Sequence, residues 1–174
     1  MRKLVIISTL IFSFFYISAQ TIDLKEIEKE RKNDYLIKIS KEVIQKFGPQ
    51  YYIEQTIPII NFETKTFIFN NKEMGVAPED EDIFIKYSDR KYYEVIWPSD
   101  SLLRELHCEY AAIVQIWEDD GQPKEVTFGN GYGIGFYWKT FSDWVKDGIE
   151  DNCVIKLPQK HEISQSYIDY FKDF

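Results

Sequence analysis

Histidine and cysteine are scarce. The 174-residue chain holds two of each: His107, His161, Cys108 and Cys153. A zinc site draws several such ligands at short spacing, and the chain has no C-x-x-C or H-E-x-x-H run. A nucleophile pair of Cys108 and His161, with Glu109 orienting the imidazole, has no local motif behind it. Adjacent His107 and Cys108 would also point to opposite faces of an extended segment. Basic residues are in deficit as well, 21 against 29 acidic, for a net charge of −8. That balance speaks against nucleic acid, which is met by clustered Lys and Arg, and against docking on anionic lipid. No glycine is followed by lysine, so there is no P-loop, and G-x-S-x-G is missing too. The acidic stretches "PEDED" and "EDDG" do not match a D-x-[DN]-x-[DN]-G calcium loop and read as solvated turns. No metal and no cofactor are expected.

What is present begins with an address. Arg2 and Lys3 precede an apolar run, Leu4 to Ile17, which ends in small Ala19 before polar sequence sets in at Gln20. This is the pattern of a signal peptide, residues 1–19, cut between Ala19 and Gln20. The alternative is a membrane anchor, but a span needs about 20 apolar residues. No cysteine follows the run to accept a lipid. The expected protein is therefore exported, periplasmic or secreted, with no stable membrane insertion after cleavage. Residues 20–174 are one domain's length. Loss of Arg2 and Lys3 leaves 19 basic and 29 acidic residues, a mature charge of −10. Export favours oxidation, so Cys108 and Cys153 are expected to pair, closing a 45-residue loop. In the chain-entropy picture that bridge stabilises by roughly 4 kcal/mol. The alternative is two separate buried thiols.

Residues 22–47 give the clearest helical pattern. Asp23 and Glu26 have capping-box spacing, and Leu36, Ile39, Val43 and Phe47 share one face. Gly48-Pro49 stops the helix, with glycine in the left-handed cap. Residues 20–33 read as a charged helical extension, in which "KEIEKERKND" (25–34) is nearly all charge and reads as solvated, with a break at Asn33-Asp34. Strand patterns follow. "YYIEQTIPII" and "KTFIFN" are β-branched and aromatic runs, the first confined by Pro58 to an edge or a bend, and residues 70–82 read as an exposed loop. "KYYEVIW" (91–97) and "YAAIVQIW" (110–117) are strands. Asp119, Asp120 and Gly121 turn the latter antiparallel onto residues from Glu125 onward. Thr140 and Asp143 cap a short helix that Gly148 ends, "CVIKLP" reads as a short strand, and Ile163 to Phe174 fit a closing helix. Together these give an α+β fold: a long N-terminal helix on a curved antiparallel sheet of four to six strands, with short C-terminal helices.

"TFGNGYGIGFYW" (127–138) sets Gly129, Gly131, Gly133 and Gly135 at every second position. A dinucleotide fingerprint fails, because the third glycine it requires would fall on Ile134 or Phe136. Read as one strand, the glycines line one face, and Phe128, Asn130, Tyr132, Ile134 and Phe136 line the other. Such a face admits close internal packing, or else a trough for an extended ligand. Trp97, Trp117, Trp138 and Trp144 lie in the same half of the chain as Tyr92, Tyr93, Tyr132 and Tyr137. Large rings in strands are more often core than an exposed platform. Tyr132, Phe136 and Trp138 are the candidate binding side chains.

The helix over 34–47, then "KYYEVIW", then "YAAIVQIWEDDGQPKEVTFG" resembles the layout of PepSY-type and cystatin-like exported modules. Those pair one helix with a small antiparallel meander, and PepSY domains often end a strand in D-x-x-G-x-P/V. The likeness spans about residues 34–129. The added strands at 51–69, the acidic loop at 70–82 and the tail beyond 139 depart from it. The whole chain also resembles small exported bacterial proteins with no assigned activity. The resemblance implies non-enzymatic binding or inhibition of a peptide or protein partner in the envelope, and it transfers no site residues. Two other functions stay open at this point. One is a hydrolase of envelope polymers using paired carboxylates, and the other is a carbohydrate-binding module with an aromatic platform.

Overall fold

The computed structural model describes residues 22–99 and 109–156. The expected leader with its Ala19–Gln20 cut, Cys108, His107, His161 and the closing helix over 163–174 lie outside the described residues. The fold is α+β: one long helix, α1 (Lys29–Phe47), packs on a five-stranded antiparallel sheet, with short helices around it.

α1 starts later than its capping pattern suggests. Asp23 does accept a hydrogen bond, from Lys25 N at 2.9 Å, but it caps a single 3-10 turn, Leu24–Glu26. The chain then extends through Ile27 before α1 begins, and α1 runs unbroken past Asn33-Asp34. The charged residues from Lys25 to Arg31 are mostly exposed, as expected, but the chain just before them is anchored. Leu24 is fully buried, Ile22 N donates to Asp120 O at 3.0 Å and Leu24 N to Glu118 O at 2.8 Å. A charged sequence hid this anchor, because one leucine and two backbone bonds do its work. Along α1 the buried stripe is Leu36, Ser40, Val43, Ile44 and Phe47. Ser40 is admitted because its hydroxyl donates to Ile37 O and accepts from Trp97 Nε1 at 3.1 Å. Gly48 ends the helix at φ −154°, outside the left-handed region. Its requirement is steric rather than conformational, since a Cβ there would meet the Phe128 ring.

The strands are β1 (Ile59–Thr66), β2 (Lys91–Pro98), β3 (Tyr110–Trp117), β4 (Pro123–Phe128) and β5 (Gly133–Gly135), neighbours in that order. The two expected runs are not two strands: residues 51–58 complete a 3-10 turn and continue as irregular chain, and one edge strand, β1, starts just after Pro58 and ends at Thr66. The register aligns Ile60, Val95, Val114, Val126 and Ile134 in one row across all five strands. This β-branched row lies under α1: the three valines are fully buried and both isoleucines pack against the same core. The next row along, Asn61, Glu94, Gln115, Glu125 and Gly135, belongs to the opposite face by the period of two.

The glycine run is not one strand. The chain reverses at Gly129–Tyr132, where Phe128 N donates to Tyr132 O and Gly131 takes φ +83°. Gly133–Gly135 then returns along β4. Period-two glycines fit a hairpin as well as a strand, and Asn130-Gly131 supplied the turn chemistry. Nor is the described part of "CVIKLP", residues 153–156, a strand: Asp151–Cys153 is a 3-10 turn, and Ile155 N reaches back to Phe47 O. Cys153 is half-buried and bonds to no other cysteine among the described residues, which do not include Cys108. α4 (Phe141–Asp147) follows its capping residues as read, with Thr140 Oγ1 accepting from Asp143 N at 3.2 Å and Gly148 at φ +84°.

Candidate functional site

The far face of the sheet carries a second, smaller core. Residues 67–90 leave β1 and fold across it, carrying α2 (Asn71–Met74) and α3 (Glu81–Ile85). Phe67 N donates to Arg90 O, and Asp89 N to Phe67 O, which closes the excursion at its base. Phe67, Phe84, Trp117 and Tyr137 are buried together beneath it. The stretch 70–82 is mostly exposed, as expected, but it carries α2 and a 3-10 turn and is held over this face by aromatic residues on either side of it.

A bulge fixes the chemistry of this face. Gln115 pairs with Glu125, yet Ile116 pairs with Pro123, so Lys124 is the extra residue in β4. A bulge sends successive side chains to one side of the sheet, and Lys124 and Glu125 both reach the far face. The Lys124 ammonium lies 4.6 Å from the Tyr92 ring centroid, 5.0 Å from Phe67, 5.6 Å from Tyr137 and 5.8 Å from Trp117. It donates to Gln115 Oε1 at 2.5 Å and stands 3.3 Å from Glu125 Oε2. Only 4% of the residue is exposed, and burial pulls its pKa below the ordinary lysine value, against the pull of Glu125 and Glu94. The polar row continues outward: Gln115 Nε2 donates to Glu94, and Glu94 pairs with Lys65 at 2.5 Å. Burial, with the Glu125 charge beside it, pushes the Tyr137 hydroxyl well above the usual tyrosine pKa.

Between the excursion and the glycine hairpin lies an open pocket of about 490 Å³. Met74 to Ala77, Asp80 and Phe84 form one wall; Glu125, Gly133, Gly135, Tyr137 and Trp138 form the other. Trp138 stands at the rim, 58% exposed, with its ring edge-on to Phe84 at 4.9 Å. Gly135 lies under the Tyr137 ring, 2.7 Å from where a Cβ would sit. Gly133 is constrained in its own right, because a Cβ there would sit 2.9 Å from Val126 O. Backbone polarity completes the site. Phe128 N bonds Tyr132 O and Phe136 N bonds Lys124 O, so Ile134 between them turns its amide and carbonyl toward β4. By the alternation of an antiparallel ladder, Gly133 and Gly135 turn theirs to the open edge.

The three candidate binding side chains are thus separated. Trp138 is on the pocket. Tyr132 is 68% exposed at the hairpin tip. Phe136 is only 3% exposed and sits in the main core, with ring centroids 5.4 Å from Phe47 and 5.9 Å from Phe141, so it meets no ligand at the surface. The other tryptophans form no platform: Trp97 and Trp117 are buried, and Trp144 packs edge-on to Phe47. Lys124, Glu125 and Gln115 were missed. Their signal was a polar residue one step from a core valine in each of three strands: Glu94 beside Val95, Gln115 beside Val114 and Glu125 beside Val126. Among the described residues no three His, Cys, Asp or Glu side chains converge as metal ligands would. No protein-family model, curated protein or solved structure matches the chain.

Proposed function

We propose that this is an exported, non-catalytic binding protein whose pocket, beside the open edge of β5, engages an extended segment of a peptide or protein partner. The observation that carries the reading is the outward-facing backbone of Gly133 and Gly135 on the pocket wall. An added strand gains main-chain hydrogen bonds along such an edge, and its alternate side chains enter the adjoining pocket. Exposed Gly133 carries no side chain to hold that backbone off, and Trp138 supplies exposed ring surface where it would lie. A hydrolase is favoured less, because of the two carboxylates on the pocket, Asp80 and Glu125, the second stands 3.3 Å from the Lys124 ammonium instead of as half of a free acid–base pair. Export rests on the N-terminal residues alone.

The test is amide exchange. Binding of an extended peptide should slow exchange at Gly133 and Gly135, and Trp138→Ala should weaken that binding by about ten-fold. Peptide binding that leaves both glycine amides unprotected would remove the edge from the reading. Turnover of a polysaccharide, abolished by Glu125→Gln, would replace the reading with the hydrolase.

A further inference from the structure

The pocket is acidic and aromatic at once. Its lining has two carboxylates, Asp80 and Glu125, and no basic side chain. Asp80 belongs to a run of four, Glu79 to Asp82, none of which enters an ion pair among the described residues. Glu125 is partly answered by Lys124, but that ammonium is buried among its rings and does not line the pocket. Even with Lys124 counted against Glu125, Asp80 is left in excess, and the rest of the chain adds to the negative field. The walls suit a cation in a second way. Rings of Phe84, Tyr137 and Trp138 face or edge the space, and ring faces attract cations.

The same sheet face already holds a cation by these means. Lys124 lies among four rings with a carboxylate beside it, and Tyr137 and Glu125 are shared between that cage and the pocket. We infer that the pocket takes the basic side chain, Lys or Arg, of an extended partner segment paired to β5, with its charge between Asp80 and Glu125 and its stem against Trp138. The inference rests on the peptide-binding reading above and adds the chemistry of the occupant. A strand laid on β5 sends every second side chain to the far face. Tyr137 covers Gly135, its ring 2.7 Å from where a Cβ would sit, so the basic residue enters over exposed Gly133 and against that ring.

Three blocked peptides of about seven residues test this. All alternate Thr and Val, and they differ only at the centre: Lys, its uncharged isostere norleucine, or Glu. Calorimetry on the purified protein should rank Lys above norleucine by about ten-fold or more, with Glu weakest. In Asp80→Asn, which alters an unpaired rim carboxylate, the Lys advantage should fall severalfold while the norleucine peptide binds as before; Glu125→Gln should reduce it too. Suppose instead that norleucine binds as tightly as Lys and still protects the Gly133 and Gly135 amides. The basic occupant is then wrong and the strand-edge reading stands. If the Lys peptide binds best but neither carboxylate variant changes it, attraction is to the general negative charge and the pocket assignment is overturned. If no peptide binds or protects those amides, both readings fall.

Discussion

Gly48 lies against the face of Phe128. A Cβ added to Gly48 would collide with Phe128 Cε1, and the ring is fully buried between α1 and Tyr51. The helix end and β4 are therefore in backbone-to-ring contact, and that contact sets how closely α1 approaches the sheet. Gly48→Ala should destabilise by about 1–3 kcal/mol, the usual cost of overpacking. In a Phe128→Leu background the same substitution should cost measurably less, because the shorter side chain gives way. Denaturant melts of the two single variants and the double variant measure the coupling. An equal cost in both backgrounds would assign the glycine a different role.

Leu24 anchors the segment before α1 to the β3–β4 turn. Leu24→Ala should cost about 2–4 kcal/mol, as expected for truncating a fully buried leucine. Glu30→Ala, on an exposed position of the first α1 turn, should stay within about 0.5 kcal/mol. Thermal melts of the pair separate an anchor from a solvated arm.

Two glycines of the hairpin should respond differently to substitution. At Gly131 an added Cβ would meet nothing within 4 Å, but φ is +83°. Alanine and valine should therefore each destabilise by about 1 kcal/mol or more through backbone strain, and Gly131→Asn should cost less, because asparagine tolerates that region. At Gly133 the obstacle is Val126 O at 2.9 Å. Gly133→Asn should be no better tolerated there than Gly133→Ala. Melts of these variants distinguish strain from crowding.

Tyr51 buries its hydroxyl with no hydrogen-bond partner among the described residues. Burial pushes its pKa up to about 12, and that of Tyr93, beside Glu118, to about 12 as well. A folded pKa above the unfolded value near 10 means that the folded state holds its proton longer. The stabilising contribution is thus complete below pH ~10 and is lost as pH rises through about 12. Tyr51→Phe should raise stability at neutral pH by about 1 kcal/mol, since it removes an unpaired buried hydroxyl. It should also flatten the loss of stability above pH ~10. Urea melts at neutral and alkaline pH read both effects.

Where one element's local pattern was sufficient, the sequence read true. β3 runs over the expected residues because "YAAIVQIW" ends at a turn whose Gly121 takes φ +67°. α4 carries its Thr140 cap as spaced. What escaped depended on register. Lys124 looks like an ordinary alternate residue until the Ile116–Pro123 pairing shows it to be the bulge. Phe136 and Trp138, two apart in a presumed strand, end on opposite sides of the molecule because the strand stops at Gly135. The cover over the far face was hidden for a related reason: Phe67, Phe69 and Phe84 flank a polar stretch that looks like solvent-exposed loop when taken alone.

The strand order β1-β2-β3-β4-β5 has a kinetic consequence. Every strand closes on the one just made, so the sheet can assemble by successive hairpins, each with a small loop-closure penalty where the connection is short. α1 is the exception. It is the first long element in the chain, but its buried stripe waits for Val114, Val126 and Phe128. Its docking is the long-range step, and the hairpin of β3 and β4 is the earliest platform able to receive it. Substitutions on that hairpin should slow folding, whereas those in the later-covering 67–90 excursion should mainly speed unfolding.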